Sequence, residues 1–384
     1  MNDRRQRYSC FLARLLAGVL LCVFVVPYSL AGPGDNSEAE AVAAMIDELG
    51  LRESSIASRD LPGWKKPSRI VLYGNEERRD LLAKLTPGVS VAAATNATDL
   101  MELAAGAEVV IAYCAAGLVF DDPALRWFQS MSAGVEHCQQ SLALGSGRAL
   151  VTNAQGLYGP EMAEHVMAMA LSLTRGIDVY QRNQMNGVWQ PSPDFGGAPP
   201  AAINGQTMLV VGLGGIGRQI AQRANALGMR VLAIRNSSTE GPDYVDRVGL
   251  AEALPSMVRE ADIVVNVTPL TAATTGLFDR DLFAAMKPTA YFINVGRGKS
   301  VVTEDLVAAL QAGEIAGAGL DVTEPEPLPV GHKLWTMPRV IITPHRSAVS
   351  SSAIARTWML VQENLRRYVA GEPLLSVVDV GRGY

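Results

Sequence analysis

Three ionisable side chains stand a few residues beyond the ends of three apolar, strand-like runs. They are Arg297, Glu326 and His345. Parallel strands bring their carboxyl ends to one edge of a sheet, so we expect these three residues to share one crevice. A guanidinium can hold a carboxylate, and an imidazole can move a proton near neutral pH. A carboxylate beside that imidazole would fix its tautomer and favour its charged form.

Each of these residues, taken singly, also has an ordinary structural interpretation. Arg297 could form a surface ion pair, Glu326 could be a solvated loop charge, and His345 could cap an element. Their joint position after strand ends favours a catalytic group.

A glycine-rich turn follows the apolar run 208–211, and helix-forming residues follow the turn. Gly212 permits the tight turn, Gly214 lets a phosphate approach the backbone, and Gly217 lets the helix pack closely on the strand. The helix N-terminus then offers free N–H groups to the phosphate. The pattern predicts a dinucleotide site formed by Gly212, Gly214, Gly215, Ile216 and Gly217.

The end of the next strand, residues 230–234, indicates which dinucleotide is bound. A site for NAD carries an acid there, whereas Arg235 stands here, followed by Asn236 and Ser237. A guanidinium beside small polar groups suits a 2′-phosphate by charge and by paired hydrogen bonds. The sequence therefore predicts NADP, with NAD as the alternative if Arg235 is only a solvated surface residue.

Hydride transfer between a nicotinamide and a 2-oxo acid needs a cation for the carboxylate and a general acid for the carbonyl oxygen. Arg297 and His345 supply these groups, and Glu326 supplies a partner for the acid. The sequence thus predicts an oxidoreductase that acts on a small 2-oxo or 2-hydroxy acid.

Strand-like and helix-like runs alternate along the chain, which predicts an α/β fold with two parallel sheets. Strands of the first region are predicted at 70–73, 89–93, 109–112, 127–130 and 150–152. Strands of the second are predicted at 208–211, 230–234, 263–267, 291–294 and 340–342. Long helices are predicted at 160–175 and 351–370, and a polar stretch at 32–68 precedes the first predicted strand.

Composition supports a packed protein, with 384 residues, 48% of them hydrophobic and 18% charged. The net charge of −5 without basic runs argues against nucleic acid as a partner. The spacing of Cys and His predicts no metal site.

The N-terminal 31 residues have the layout of a secretory signal peptide, with four arginines before an apolar run at 15–26 and small residues at Ser29 and Ala31. That run is shorter than the roughly 20 residues of a membrane span, so we expect no stable span in the mature chain. The expected location is exported or periplasmic. An uncleaved anchor or a misplaced start codon is the alternative, and the chain would be cytoplasmic in the latter case.

Four cysteines are present, and Cys10 and Cys22 would leave with the signal peptide. Cys114 and Cys138 could bridge in an oxidising compartment, but two separate buried thiols are the preferred prediction.

From about residue 105 to 370 the chain resembles the D-isomer-specific 2-hydroxyacid dehydrogenase family. The matching segments are the glycine turn and residues 132–137, 151–154, 294–298, 321–327 and 343–345. The run 127–130 and the arginine after the second cofactor-binding strand look most like the glyoxylate/hydroxypyruvate reductase branch.

The resemblance implies two Rossmann-like or flavodoxin-like domains, with a cofactor domain at 154–346 inserted into a substrate domain at 40–153 plus 347–384. It also implies a homodimer with the 160–175 helix near the interface. It implies that Arg297 binds substrate, that His345 is the acid/base, and that Glu326 is its partner, with Glu324 as the competing candidate. The implied substrate-carboxylate contacts are the backbone N–H groups of Ala133 and Gly134, and the implied cofactor-lining residues are Thr268, Pro269, Val295 and Asp321.

Two other functions fit the same motifs. A phosphite-type dehydrogenase would share the architecture, and a non-catalytic NAD(P)-sensing protein could retain the same three polar residues. A formate dehydrogenase is disfavoured because the family pattern then has Gln where Glu326 stands. Arg346 departs from the small-residue run that usually follows the histidine, and it could bring a charge near the substrate or point to solvent.

Overall fold

The computed structural model describes residues 36–115, 117–138 and 141–379. The predicted signal peptide, with Cys10 and Cys22, lies outside the described residues. Within those ranges, no helix combines the length and the apolarity needed to cross a bilayer.

The first region builds a five-stranded parallel sheet with strand order β3-β2-β4-β5-β6. Its strands are short and apolar, and all four residues of β4 are buried, as expected of a parallel sheet covered on both faces. The elements in chain order are α1 (Asn36–Leu49), β1 (Glu53–Ala57), β2 (Arg69–Tyr73), α2 (Glu76–Leu85), β3 (Ser90–Ala94), α3 (Ala97–Ala104), β4 (Val109–Ala112), β5 (Trp127–Ser130), α4 (Leu142–Gly145) and β6 (Leu150–Thr152).

The second region builds a seven-stranded parallel sheet with order β13-β12-β11-β10-β7-β8-β9. Its elements are α5 (Gly159–Thr174), α6 (Ile177–Met185), β7 (Thr207–Val211), α7 (Gly215–Ala226), β8 (Arg230–Ile234), β9 (Arg247–Gly249), α8 (Leu254–Met257), β10 (Ile263–Asn266), α9 (Arg280–Ala284), β11 (Tyr291–Asn294), α10 (Thr303–Ala312), β12 (Gly317–Leu320) and β13 (Val340–Ile342). The chain leaves β7 toward β8 on one side and later returns to β10 on the other. This reversal of strand order creates the crevice at which open α/β sheets bind ligands.

The C-terminal segment returns to the first sheet. Helix α11 (Ser351–Ala370) buries Val361 and Leu365 in the same core cluster as Ile70 and Leu72 of β2. Strand β14 (Pro373–Leu375) then pairs antiparallel with β1. The predicted α/β fold, with one parallel-sheet region inserted into another, is confirmed, while the precise domain bounds stay predictions.

The structure adds two elements to the first region and corrects one prediction. Residues 32–68 contain α1 and β1, because the side chains of Met45 and Leu51 are buried and β1 has a partner strand far along the chain. Cys114 and Cys138 are not separate thiols but form a disulfide, with their Cα atoms 5.1 Å apart. The two cysteines lie in the loops that follow the neighbouring strands β4 and β5, so the fold brings them together at one sheet edge.

Candidate active site

Backbone hydrogen bonds tie together the loops that follow β11, β12 and β13. The N–H of Asp321 donates to the carbonyl of Asn294 at 3.0 Å, and the N–H of His345 donates to the carbonyl of Asp321 at 2.8 Å. The Asn294 side-chain amide donates to the carbonyl of Arg297 at 3.1 Å. Arg297 and His345 therefore stand on loops at the same edge of the sheet, as the sequence predicts.

His345 meets Glu326 directly. Its Nδ1 lies 2.6 Å from Oε1 of Glu326, and the backbone of His345 adopts a positive φ of 55°. Since Nδ1 is engaged by the carboxylate, Nε2 is the ring atom that can face a substrate. Glu326 is therefore the residue whose carboxylate contacts the imidazole. Glu324, the competing candidate, accepts a hydrogen bond from the Thr303 hydroxyl through its backbone carbonyl.

Asp321 holds the loop that carries His345. Its buried carboxylate accepts hydrogen bonds from the Thr343 hydroxyl at 2.6 Å and from the N–H groups of Arg346 and Ser347. Burial alone would raise the pKa of Asp321, but these hydrogen bonds outweigh it and hold the pKa below its ordinary value. His165 on α5 extends the network, with Nε2 3.0 Å from the Thr343 hydroxyl. The carboxylate predicted to line the cofactor is thus engaged in fixing this loop.

Arg297 forms an ion pair that the sequence analysis missed. Its Nε donates to Oε1 of Glu136 at 2.5 Å, and its Nη1 donates to the carbonyl of Gly296 at 2.8 Å. Burial by itself raises the pKa of Glu136, but the hydrogen bond and charge of Arg297 outweigh this effect and lower that pKa. Glu136 lies within the segment 132–137 quoted above, yet its partner is 161 residues away in sequence, so no local pattern indicates the pair.

The 131–138 loop, which follows β5, brings Ala133 and Gly134 to Arg297. A Cβ built on Gly134 would lie 2.0 Å from Nη2 of Arg297, so the guanidinium rests directly against the glycine and a larger residue there would displace it. The carbonyl of Ala133 accepts from the Asn153 side chain at 2.7 Å. Within the described residues, the N–H groups of Ala133 and Gly134 donate to no protein acceptor, which leaves them available to a carboxylate.

The glycine turn has the geometry that a pyrophosphate requires. Gly212 has a φ of 111°, a conformation that residues with a Cβ rarely adopt. A Cβ on Gly217 would lie 2.0 Å from the Gly212 carbonyl, whereas one on Gly214 would meet nothing within 4 Å. Gly214 therefore exposes backbone at the start of α7, which begins with Gly215 and Ile216. These residues fit a dinucleotide phosphate at the helix N-terminus.

Arg235 lies beside this turn, because the N–H groups of Gly212 and Leu213 both donate to the carbonyl of Ile234 at the end of β8. Its guanidinium is half-buried and donates through Nη1 to the Ser238 hydroxyl at 3.3 Å. The adjacent residues Asn236 and Ser237 are exposed.

Two buried asparagines connect the loop after β10 with the loop of Arg297. Asn266 accepts from the Thr268 hydroxyl at 2.8 Å and donates to the side chain of Asn294 at 3.0 Å. Of the other predicted cofactor-lining residues, Pro269 is exposed and Val295 is buried. Neither asparagine is among the site residues that the sequence predicts. The part of the chain that the structure describes holds no group of three or more His, Cys, Asp or Glu residues that could bind a metal ion.

The NAD binding domain of the D-isomer specific 2-hydroxyacid dehydrogenase family matches residues 167–347 of this chain. The chain is 34% identical to glyoxylate/hydroxypyruvate reductase A of Yersinia enterocolitica over 224 residues, which make up 58% of this chain and 69% of that protein.

Among solved structures, a D-isomer specific 2-hydroxyacid dehydrogenase family protein from Aeromonas salmonicida is 34% identical. It superposes with a TM-score of 0.70, covering 81% of this chain and 99% of that chain. The NADPH-dependent glyoxylate/hydroxypyruvate reductase of Sinorhizobium meliloti, in complex with NADP and sulfate, is 27% identical. Its TM-score is 0.69, and the match covers 83% of this chain and all of that chain. Similarity of this extent, in sequence and in fold, shows that the chain belongs to the D-isomer specific 2-hydroxyacid dehydrogenase family.

Proposed function

We propose that this protein is an NADPH-dependent reductase that converts a small 2-oxo acid, glyoxylate or hydroxypyruvate, into the corresponding 2-hydroxy acid, which is the D-isomer where the product is chiral. The contact of His345 with Glu326, on the sheet edge that also carries Arg297, is the observation that carries the proposal. Family membership and the glyoxylate/hydroxypyruvate reductases among its relatives support the reaction class.

Arg297 and the 131–138 loop would bind the substrate. The guanidinium holds the carboxylate, and the N–H groups of Ala133 and Gly134 complete a ring of donors around it. β11 and β13 are separated by one strand, which places their ends about 10 Å apart. A two- or three-carbon acid held by Arg297 can therefore direct its carbonyl oxygen toward His345.

His345 would then move the proton. Its Nε2 donates to the carbonyl oxygen as the 2-carbon is reduced, and Glu326 stabilises the charged imidazole through Nδ1. When bound, the reduced nicotinamide supplies the hydride. The hydrogen bonds of Asp321 hold the loop that carries His345, and the contact with Glu326 orients the ring.

NADP is the proposed cofactor because Arg235 stands where a site for NAD carries an acid. Its backbone follows the strand end that contacts the glycine turn, and its guanidinium donates to the Ser238 hydroxyl and the Glu240 carbonyl. A guanidinium at this strand end suits a 2′-phosphate. The Sinorhizobium relative is described as NADPH-dependent, which supports the same choice.

The test is the absorbance of reduced nicotinamide in the presence of purified protein and glyoxylate, hydroxypyruvate, pyruvate or phenylpyruvate. We expect NADPH to be oxidised faster than NADH with glyoxylate or hydroxypyruvate. Oxidation with neither cofactor, despite measurable NADP binding, would contradict the proposal and favour a phosphite-type dehydrogenase or a cofactor-sensing protein.

We also propose that the protein is a homodimer. Helix α5, predicted to lie near the interface, packs against α7 of its own chain, whereas the neighbouring α6 and the segment after it expose apolar side chains. Met185 and Trp189 are 81% and 95% exposed. Burial of such side chains would stabilise an interface. Light scattering that gives the mass of a single chain would contradict this proposal.

We propose that the protein is exported from the cytoplasm. The predicted signal peptide and the Cys114–Cys138 disulfide both support it, because disulfides persist in oxidising compartments. The test is N-terminal sequencing of protein recovered from the periplasmic fraction. We expect residues 1–31 to be missing, and their presence in a protein found only in the cytoplasm would contradict export.

A further inference from the structure

We propose that Glu136 determines the substrate affinity of the site by competing with the substrate carboxylate for Arg297. The inference rests on the proposed function, since it takes Arg297 as the cation that binds substrate. It gives a role to a residue outside the group formed by Arg297, Glu326 and His345.

The first observation concerns the edge of the Arg297 guanidinium that Glu136 contacts. An arginine binds a carboxylate most strongly through two parallel N–H groups along one edge. Nη1 of Arg297 already donates one N–H to the Gly296 carbonyl, whereas the edge formed by Nε and Nη2 has no backbone acceptor within the described residues. Glu136 accepts from Nε at 2.5 Å and therefore holds half of that edge.

The second observation is the crowding over Gly134. A Cβ on Gly134 would lie 2.0 Å from Nη2 of Arg297 and 2.6 Å from Oε2 of Glu136. Both charged groups thus lie directly against the backbone whose N–H is expected to receive the substrate carboxylate. The ion pair therefore lies directly beside the place that this carboxylate is expected to occupy.

The pair is also able to open. The side chains of Arg297 and Glu136 are 28% and 30% exposed, so each can rotate toward solvent without leaving the surface of the crevice. The substrate carboxylate would displace the Glu136 carboxylate from Arg297, and this exchange reduces the net free energy gained on binding. A neutral aldehyde or ketone brings no charge to replace Glu136, so the arrangement selects for anionic substrates.

The test compares the parent protein with Glu136→Gln, which keeps the size of the side chain and removes its charge. We measure KM and kcat for glyoxylate with NADPH, and the Kd of oxalate for the protein saturated with NADP. Oxalate is a planar two-carbon dianion that cannot accept a hydride. We expect KM and the oxalate Kd both to fall roughly three- to tenfold, with a smaller change in kcat.

Glu102→Gln on α3 is the matched control, because it removes the same charge from an exposed glutamate and should change neither constant. Glu136→Asp keeps the charge but shortens the side chain, and we expect a smaller decrease in both constants. This second variant preserves the test if Glu136→Gln does not fold.

Three results would overturn the inference. A fall in kcat together with a rise in KM would mean that Glu136 positions Arg297 instead of competing for it. Unchanged KM and oxalate Kd would mean that the ion pair of Arg297 with Glu136 does not limit binding. If oxalate binds to neither the parent nor the variant, the proposed anion site does not exist. If the parent reduces none of the acids, the proposed function fails, while the oxalate comparison still decides the role of Glu136.

Discussion

Nδ1 of His345 lies 2.6 Å from Oε1 of Glu326, and each residue stands on a loop that follows one of two neighbouring strands, β13 and β12. Both side chains are about half exposed at the crevice, so a substrate can reach the ring. The pairing leaves Nε2 of the imidazole for proton transfer. The account of function depends on this relationship more than on any other contact.

Replacement of Glu326 by Gln should lower kcat roughly tenfold to a thousandfold, because a neutral amide does not stabilise the charged imidazole. KM should change little, since Glu326 does not contact the substrate carboxylate in the proposed arrangement. Steady-state kinetics with NADPH and glyoxylate measure both constants. Glu324→Gln is the control. Equal decreases in kcat in the two variants would show that the contact of Glu326 with His345 is not the cause of the decrease.

Replacement of Arg235 by Asp should shift the preference of the protein from NADPH toward NADH. A charge-assisted contact with the 2′-phosphate is worth about 1.5–3 kcal/mol, so the ratio of kcat/KM values should fall by about tenfold or more. The measurement is kcat/KM for each cofactor at saturating acid. An unchanged ratio would mean that Arg235 is a solvated surface residue.

Replacement of Asp321 by Asn should destabilise the fold by about 2–3 kcal/mol at pH 7, because a buried amide cannot accept all the hydrogen bonds that this carboxylate receives. The folded chain lowers the pKa of Asp321, so the ionised group stabilises the fold above its unfolded pKa. That stabilisation is lost as the pH falls below about 4.

Urea unfolding of parent and Asp321→Asn at pH 7 and at pH 3 measures this effect. The difference in the free energy of unfolding should shrink at the lower pH. A difference that stays constant between the two pH values would contradict the role assigned to the ionised carboxylate.

Removal of the disulfide in the double variant Cys114→Ala, Cys138→Ala should lower the free energy of unfolding by about 3 kcal/mol, because the bridge closes a loop with a sequence separation of 24 residues. Urea unfolding with and without reductant measures the loss, and reductant should act on the parent only. Free thiols at Cys114 and Cys138 in the folded, oxidised parent would contradict the bridge.

Local sequence patterns predict those elements whose own residues show a clear hydrophobic pattern between turn residues. β4, β8 and α11 have the predicted bounds, because each is largely a continuous apolar or amphipathic run between turn residues. α1 and β1 were missed, since β1 pairs with a strand more than 300 residues away and no local pattern indicates that partner. β9 is only three residues long, and α6 exposes most of its apolar side chains, so both give weak signals.

The site was predictable to a similar extent. Arg297 and His345 were identified because each follows a strand end and strand ends converge in parallel sheets, whereas Glu326 was preferred to Glu324 on the family resemblance. Glu136 and the disulfide depend on how the loops after neighbouring strands meet in space. Residue spacing along one chain does not contain that information, so the cysteines were wrongly predicted to be separate and the partner of Arg297 was missed.

The most direct test of the central claim is the rate of NADPH oxidation by parent and His345→Gln, measured side by side with saturating glyoxylate or hydroxypyruvate. We predict that the parent turns over and that the variant loses roughly 10²–10⁴-fold in kcat while it still binds NADP as the parent does. Equal turnover by the two proteins would contradict the assignment of His345 as the proton donor, and with it the mechanism proposed for this site.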